Sequence, residues 1–170
     1  MSRSLRPQLL VLVALLAAFA LGGLSFAALS KSDDAASVTR NALAQTSRVQ
    51  GAPNRSLILS RVAVDPGAEL ALHYHLGSQV ARIQSGVLRY TVQHGSVVVR
   101  RGESDRGPQV VRTIKAGQTG SIHAGEWIVE QPSDIHRAAN KGSRPVVIYL
   151  ATLLKTGAPP ATLVSPSRPR

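Results

Sequence analysis

The sequence predicts an all-β domain, a two-sheet antiparallel sandwich or barrel, preceded by one hydrophobic helix. Three observations carry this reading. Nine short β-type runs lie between residues 56 and 154. Turn residues separate many of them, at Asp65-Pro66-Gly67, Ser85-Gly86, His94-Gly95, Ala116-Gly117 and Lys141-Gly142. No stretch of that region repeats its apolar residues at the helical period, so many short strands between regular turns are the remaining solution.

Taken in chain order, the first element is the helix. Arg3 and Arg6 precede residues 9–29, LLVLVALLAAFALGGLSFAAL, a run of 21 residues without a charge. As a helix it would extend about 31 Å, close to the thickness of a bilayer core. A positive flank followed by an apolar run fits a secretory signal or a signal anchor over residues 1–30. The length favours an anchor, whereas Gly22-Gly23 and the small residues around Ser25-Phe26-Ala27 favour cleavage. Ala42-Leu43-Ala44 is a second small-x-small site, separated from the run by charged residues. Both readings place the rest of the chain outside the cytoplasm, periplasmic or secreted, or anchored in the inner membrane. Membrane contact is then limited to the uncleaved helix.

Residues 31–50 are polar and charged with little apolar periodicity, and are expected to be a linker with at most a weak helix at 35–45. The barrel is expected over 51–156. Its runs are Ser56–Val64, Glu69–His75, Val80–Ile83, Val87–Gln93, Ser96–Arg101, Gln109–Ile114, Trp127–Glu130, His136–Asn140 and Pro145–Leu154. In the fourth, Leu88, Tyr90 and Val92 share one face while Arg89 and Thr91 share the other. By the same alternation Arg82 faces away from Gln79. Residues 157–170 contain Pro159, Pro160, Pro166 and Pro169 and are expected to be a flexible tail.

Composition narrows function. The absence of cysteine excludes disulfides, a thiolate nucleophile and Cys-ligated metal. The net charge of +11 comes mostly from arginine, but only Arg100-Arg101 are adjacent, and one Trp, three Tyr and two Phe offer few stacking platforms. A nucleic-acid partner is therefore not expected.

The chemistry lies in the histidines. In His73-Tyr74-His75 the two imidazoles are at i and i+2 of a strand and project from one face. His136 opens another run some sixty residues later, and if the two strands neighbour each other three imidazoles converge, a donor set suited to Zn, Cu, Fe or Ni. Core or solvent-facing histidines are the alternative. Tyr90 is a weak catalytic candidate, or a core residue with a satisfied hydroxyl. Glu130 is a second, as acid/base or as a rim residue. Trp127 reads as wall, His123 as a loop residue, His94 as a turn residue and Asn140 as a turn anchor.

The flanks of these histidines add a resemblance. Gly67, His73, His75, Gln79 and Gly86 follow the spacing of the first cupin motif, with Gln79 where that family usually has Glu. Gly125, Gln131, Pro132, Ser133, His136 and Asn140 follow the second, with Gln131 for the usual Pro and Ser133 for the usual Gly. The chain thus resembles the cupin superfamily over about residues 56 to 154. The resemblance implies a double-sheet jelly-roll barrel and one divalent metal ion (Fe, Mn, Zn, Ni or Cu) held by His73, His75, Gln79 and His136. It also implies a homodimer as one arrangement. A carboxamide at 79 neutralises no metal charge, so the expected site keeps about +2 and favours anionic ligands, and Glu at 79 should tighten cation binding.

Three functions follow: a domain binding a metal and a small molecule, a metal-dependent enzyme such as a dioxygenase or isomerase, and a structural or sensory domain tethered at the membrane. One fold hosts all three. The export reading has a direct test. A reporter fused after Leu154 should be active only outside the cytoplasm, and strong cytoplasmic activity would end it.

Overall fold

The computed structural model of the chain describes residues 36–164. The expected hydrophobic helix at residues 9–29 lies outside them. Among the described residues no helix is long and apolar enough to cross a membrane.

Among the described residues, twelve strands form two antiparallel sheets. They are β1 (Val38–Thr46), β2 (Arg55–Val64), β3 (Glu69–Tyr74), β4 (Gly77–Ser85), β5 (Val87–His94), β6 (Ser96–Arg101), β7 (Gln109–Lys115), β8 (Thr119–His123), β9 (Glu126–Glu130), β10 (Ile135–Ala139), β11 (Val146–Lys155) and β12 (Thr162–Leu163). One sheet has the order β1-β2-β11-β4-β9-β6-β7 and the other β12-β3-β10-β5-β8. The inward residues of both sheets form one core, with Val62, Val64, Ile83, Leu88, Val92, Val99, Ile122, Ile128 and Ile148 buried. Alternation places them there. In β5, Leu88, Tyr90 and Val92 are buried and their neighbours are not, and Arg82 in β4 faces outward as expected.

Three elements correct the sequence reading. Residues 38–46, expected as linker or weak helix, form β1 on β2, with a register shift between Ala42 and Ala44. Eight of its nine residues are exposed. Its stability comes from backbone bonding to β2, which leaves no side-chain signature. Residues 119–123, expected as loop, form β8 with Ile122 alone buried. The tail also corrects. Thr162 and Leu163 pair with Tyr74 and His73 as edge strand β12, a position that the preceding Pro159 and Pro160 do not obstruct.

Two glycines are dictated by close approach. Gly86 turns the chain between β4 and β5 at φ 82°, where a Cβ would come within 2.9 Å of Val146 Cγ2. At Gly77 a Cβ would lie 2.1 Å from the Leu153 carbonyl oxygen, so β4 can enter beside β11 only without a side chain.

The registers that matter for the site are two. His136 of β10 stands opposite His73 of β3, and Gln79 of β4 stands opposite Glu130 of β9. Along β9, Glu126, Ile128 and Glu130 alternate inward. Glu126 is fully buried and ties four strands together. It accepts from Arg101 of β6 at 2.7 Å, from Arg112 of β7, and from the His123 backbone N–H of β8 at 2.9 Å. Arg112 also donates to the Ser121 carbonyl across the sheets at 3.0 Å. Burial pushes the Glu126 carboxyl up, but the His123 N–H and the two guanidinium groups outweigh it and hold it below the usual range.

Replacing Glu126 by Gln should therefore lower the unfolding free energy by about 1 kcal/mol at neutral pH, because a buried charged acceptor is lost to donors that are themselves partly exposed and screened by solvent. A lowered carboxyl contributes stability above its unfolded pKa of about 4.3 and loses it as pH falls through the folded value. Urea titrations should show the wild-type advantage full at pH 7 and closing in acid. An advantage independent of pH would show that the charge is not used.

Candidate metal centre

His73 is buried one residue before the end of β3, and His75 follows just past that end on the same face. His136 arrives from β10 directly opposite His73, which is why a residue sixty positions away joins the pair. All three are buried, and one nitrogen from each lies within 4.8 Å of the others. Ring centroids are 4.9 Å apart for His73–His75, 4.4 Å for His73–His136 and 5.2 Å for His75–His136.

The backbone selects the tautomers of two rings. His73 Nδ1 is 2.6 Å from the Ala71 carbonyl oxygen, and His75 Nδ1 is 2.7 Å from that of Pro160. A carbonyl only accepts, so both Nδ1 atoms carry the proton and each Nε2 keeps its lone pair, the form in which imidazole ligates. Burial lowers the pKa of His73. Burial likewise lowers His136 to about 4, against the attraction of Glu130. Both are neutral at physiological pH.

Gln79 and Glu130 complete the cluster from the other sheet. The Gln79 amide nitrogen is 2.8 Å from His75 Nε2 and donates to Glu130. Glu130 is buried, accepts from the Tyr90 hydroxyl at 2.8 Å, and lies 3.5 Å from His75 Nε2 and 3.3 Å from His136 Nε2. Burial pushes its carboxyl up, but His136, His75 and Gln79 together hold it at about 2, so it is charged. Tyr90 stacks on His136 with centroids 5.0 Å apart. Burial, then Glu130, raises its phenol well above its ordinary value, so it remains a proton donor.

Glu130 changes the expected electrostatics. It is not at the rim, and its charge would bring an ion-loaded site to about +1 rather than +2. A Glu introduced at 79 would face it directly, and like charges that close oppose each other. The expectation that such a change tightens cation binding does not survive this geometry.

The residues fit a divalent ion. Three imidazoles and a carboxylate are a transition-metal donor set. One further buried atom, Gln79 Oε1, has no hydrogen-bond partner among the described residues, and buried polar atoms are rarely left so. A cavity of about 40 Å³ adjoins these groups, walled by Val62, Ile83, Leu88 and Ile128.

The remaining sequence candidates fall elsewhere. His123 is exposed on β8, and His94 is exposed and bonds to the Ser133 carbonyl at 3.0 Å. Trp127 donates to the Gly102 carbonyl at 2.9 Å on the outer face, under Arg100. Asn140 is buried and fixes a turn, donating to the carbonyls of Val64 and Arg144. Two contributors went unread. Arg40 enters from β1, and no run of apolar residues marked that strand. Pro160 acts through its carbonyl, which no sequence pattern reports.

No family model matches the chain. No curated protein matches it either. Solved structures do. A cupin 2 domain-containing protein from Halorhodospira halophila is 12% identical with a TM-score of 0.49, over 80% of this chain and 76% of that one. An RmlC-like cupin from Shewanella frigidimarina is 17% identical with a TM-score of 0.47, over 74% and 83%. The DMSP lyase DddQ from Ruegeria pomeroyi is 13% identical with a TM-score of 0.49, over 78% and 54%. The structural neighbours include cupins, and the observed two-sheet architecture is consistent with the fold that the two sequence motifs imply.

His75→Ala removes one imidazole from a set of three and should abolish most bound metal, as read by elemental analysis after loading with Mn, Fe, Co, Ni or Zn. Unchanged metal content would show that the histidines are not the ligands.

Proposed function

We propose that residues 36–164 form a cupin domain that holds one divalent transition metal and binds a small anionic molecule beside it. The observation that carries this reading is the convergence of His73, His75 and His136, with the protons of two rings directed onto backbone carbonyls. When bound, such an ion supplies a Lewis acid or, for Fe, Mn and Cu, a redox centre. The chain supplies the surroundings. Gln79 and Glu130 fix the polar side of the cluster, and the apolar wall restricts water.

Arg40 supports the anionic character of the ligand. It reaches from β1 to line the cavity of the histidines and also an outer one of about 140 Å³ beside Ser60, Thr152 and Pro160. It has no ion-pair partner among the described residues. Burial lowers its pKa, opposed by the attraction of Glu130. A half-buried guanidinium at the junction of two cavities suits a carboxylate arriving from outside. The inner space admits only a few water-sized groups, so the bulk of a ligand would rest in the outer cavity.

A second reading is favoured by the Tyr90–Glu130 hydrogen bond. A charged carboxylate and a protonated phenol at one place beside the histidines give a proton acceptor and a proton donor, which a metal-dependent isomerase or lyase needs. We also place the domain outside the cytoplasm, on the strength of Arg3, Arg6 and the uncharged run at 9–29.

Calorimetry with oxalate or malonate on metal-loaded protein tests the ligand class. Arg40→Ala should weaken dicarboxylate binding about tenfold, the value of one charge-assisted hydrogen bond, and leave metal content unchanged. Equal affinity in both proteins would remove Arg40 and the anionic ligand from the reading.

A further inference from the structure

We propose that the anionic oxygen donor of the centre is Glu130, supplied from β9, in place of the carboxylate missing at position 79 of β4. The inference rests on the metal-binding reading above and deepens it.

Gln79 and Glu130 are cross-strand partners in the β4–β9 pair and both point inward. A carboxylate moved from one to the other stays on the same face, one strand over, at roughly the 5 Å spacing of paired residues. The distances then decide its use. Two donors each about 2.1 Å from one ion lie roughly 3.0–3.4 Å apart in octahedral or tetrahedral arrangements. Glu130 Oε1 is 3.3 Å from His136 Nε2 and Oε2 is 3.5 Å from His75 Nε2. These are close to the spacings of neighbouring ligands on a shared ion. They are also longer than the 2.7–2.9 Å of a charge-assisted hydrogen bond. The carboxylate is held in place from behind by the Tyr90 hydroxyl at 2.8 Å and by the Gln79 amide. Gln79 is therefore a positioning residue, and its unpartnered Oε1 adds no charge.

A solvent-facing carboxylate on β9 would need none of this. Glu130 is buried, shares its face with Ile128, and has every polar neighbour drawn from the histidine cluster and its two hydrogen-bond donors. A buried charge is costly unless it is compensated, and here the compensating groups belong to the histidine cluster and its surroundings.

The test is a charge exchange across the strand pair, read as affinity for Zn and Co by competition with a chromophoric chelator. The visible spectrum of the Co form reports the ligand set. Glu130→Gln is close in size and should weaken binding roughly 100-fold, with a changed Co spectrum and the same circular dichroism. Gln79→Glu combined with Glu130→Gln returns the carboxylate to the other strand and should restore affinity to within about tenfold of wild type. Wild-type affinity in Glu130→Gln overturns the assignment, as does a double variant no better than the single one, which would make Glu130 a purely positioning residue. If wild type and His75→Ala alike bind no metal, the centre itself fails, and this inference with it. That result is distinguishable because it appears before any change at Glu130 is made.

Discussion

A buried carboxylate must be compensated by its neighbours, and in this domain that requirement falls on Glu130. Its two oxygens accept from the Tyr90 hydroxyl and the Gln79 amide and stand against the inner nitrogens of His75 and His136 at 3.5 and 3.3 Å. Those partners come from β5, β4, the end of β3 and β10. The polar interior is thus a single connected network, and each strand that contributes to it is fixed in register by that contribution. A one-residue slip of β9 would turn Glu130 outward and bring Val129 inward, breaking the network and the core together.

The histidines were legible in the sequence because strand geometry is regular. Alternation put His73 and His75 on one face, and the spacing of two glycine-bounded stretches tied them to His136. Glu130 was visible only as a weak candidate. The signal was present, since Glu130 is two residues from Ile128 and shares its face, but a carboxylate on a short strand reads equally well as rim. What decided the matter was the pairing of β9 with β4, a relation between residues 51 positions apart.

The strands that escaped notice share a cause. β1, β8 and β12 bury few side chains, and their order is set by backbone pairing to a neighbour already in place. Composition carries no record of such pairing. Two of these edges nonetheless reach the centre, β1 through Arg40 and the arm leading into β12 through Pro160. The periphery of the fold therefore sets the charge at the entrance and the orientation of a ring.

The bond from His75 to Pro160 spans 85 residues. Without the segment that carries Pro160 seated against β3, that ring proton loses its acceptor and the backbone no longer sets the tautomer of His75. One contact of long sequence separation thus couples the geometry of the histidine cluster to the seating of an edge strand.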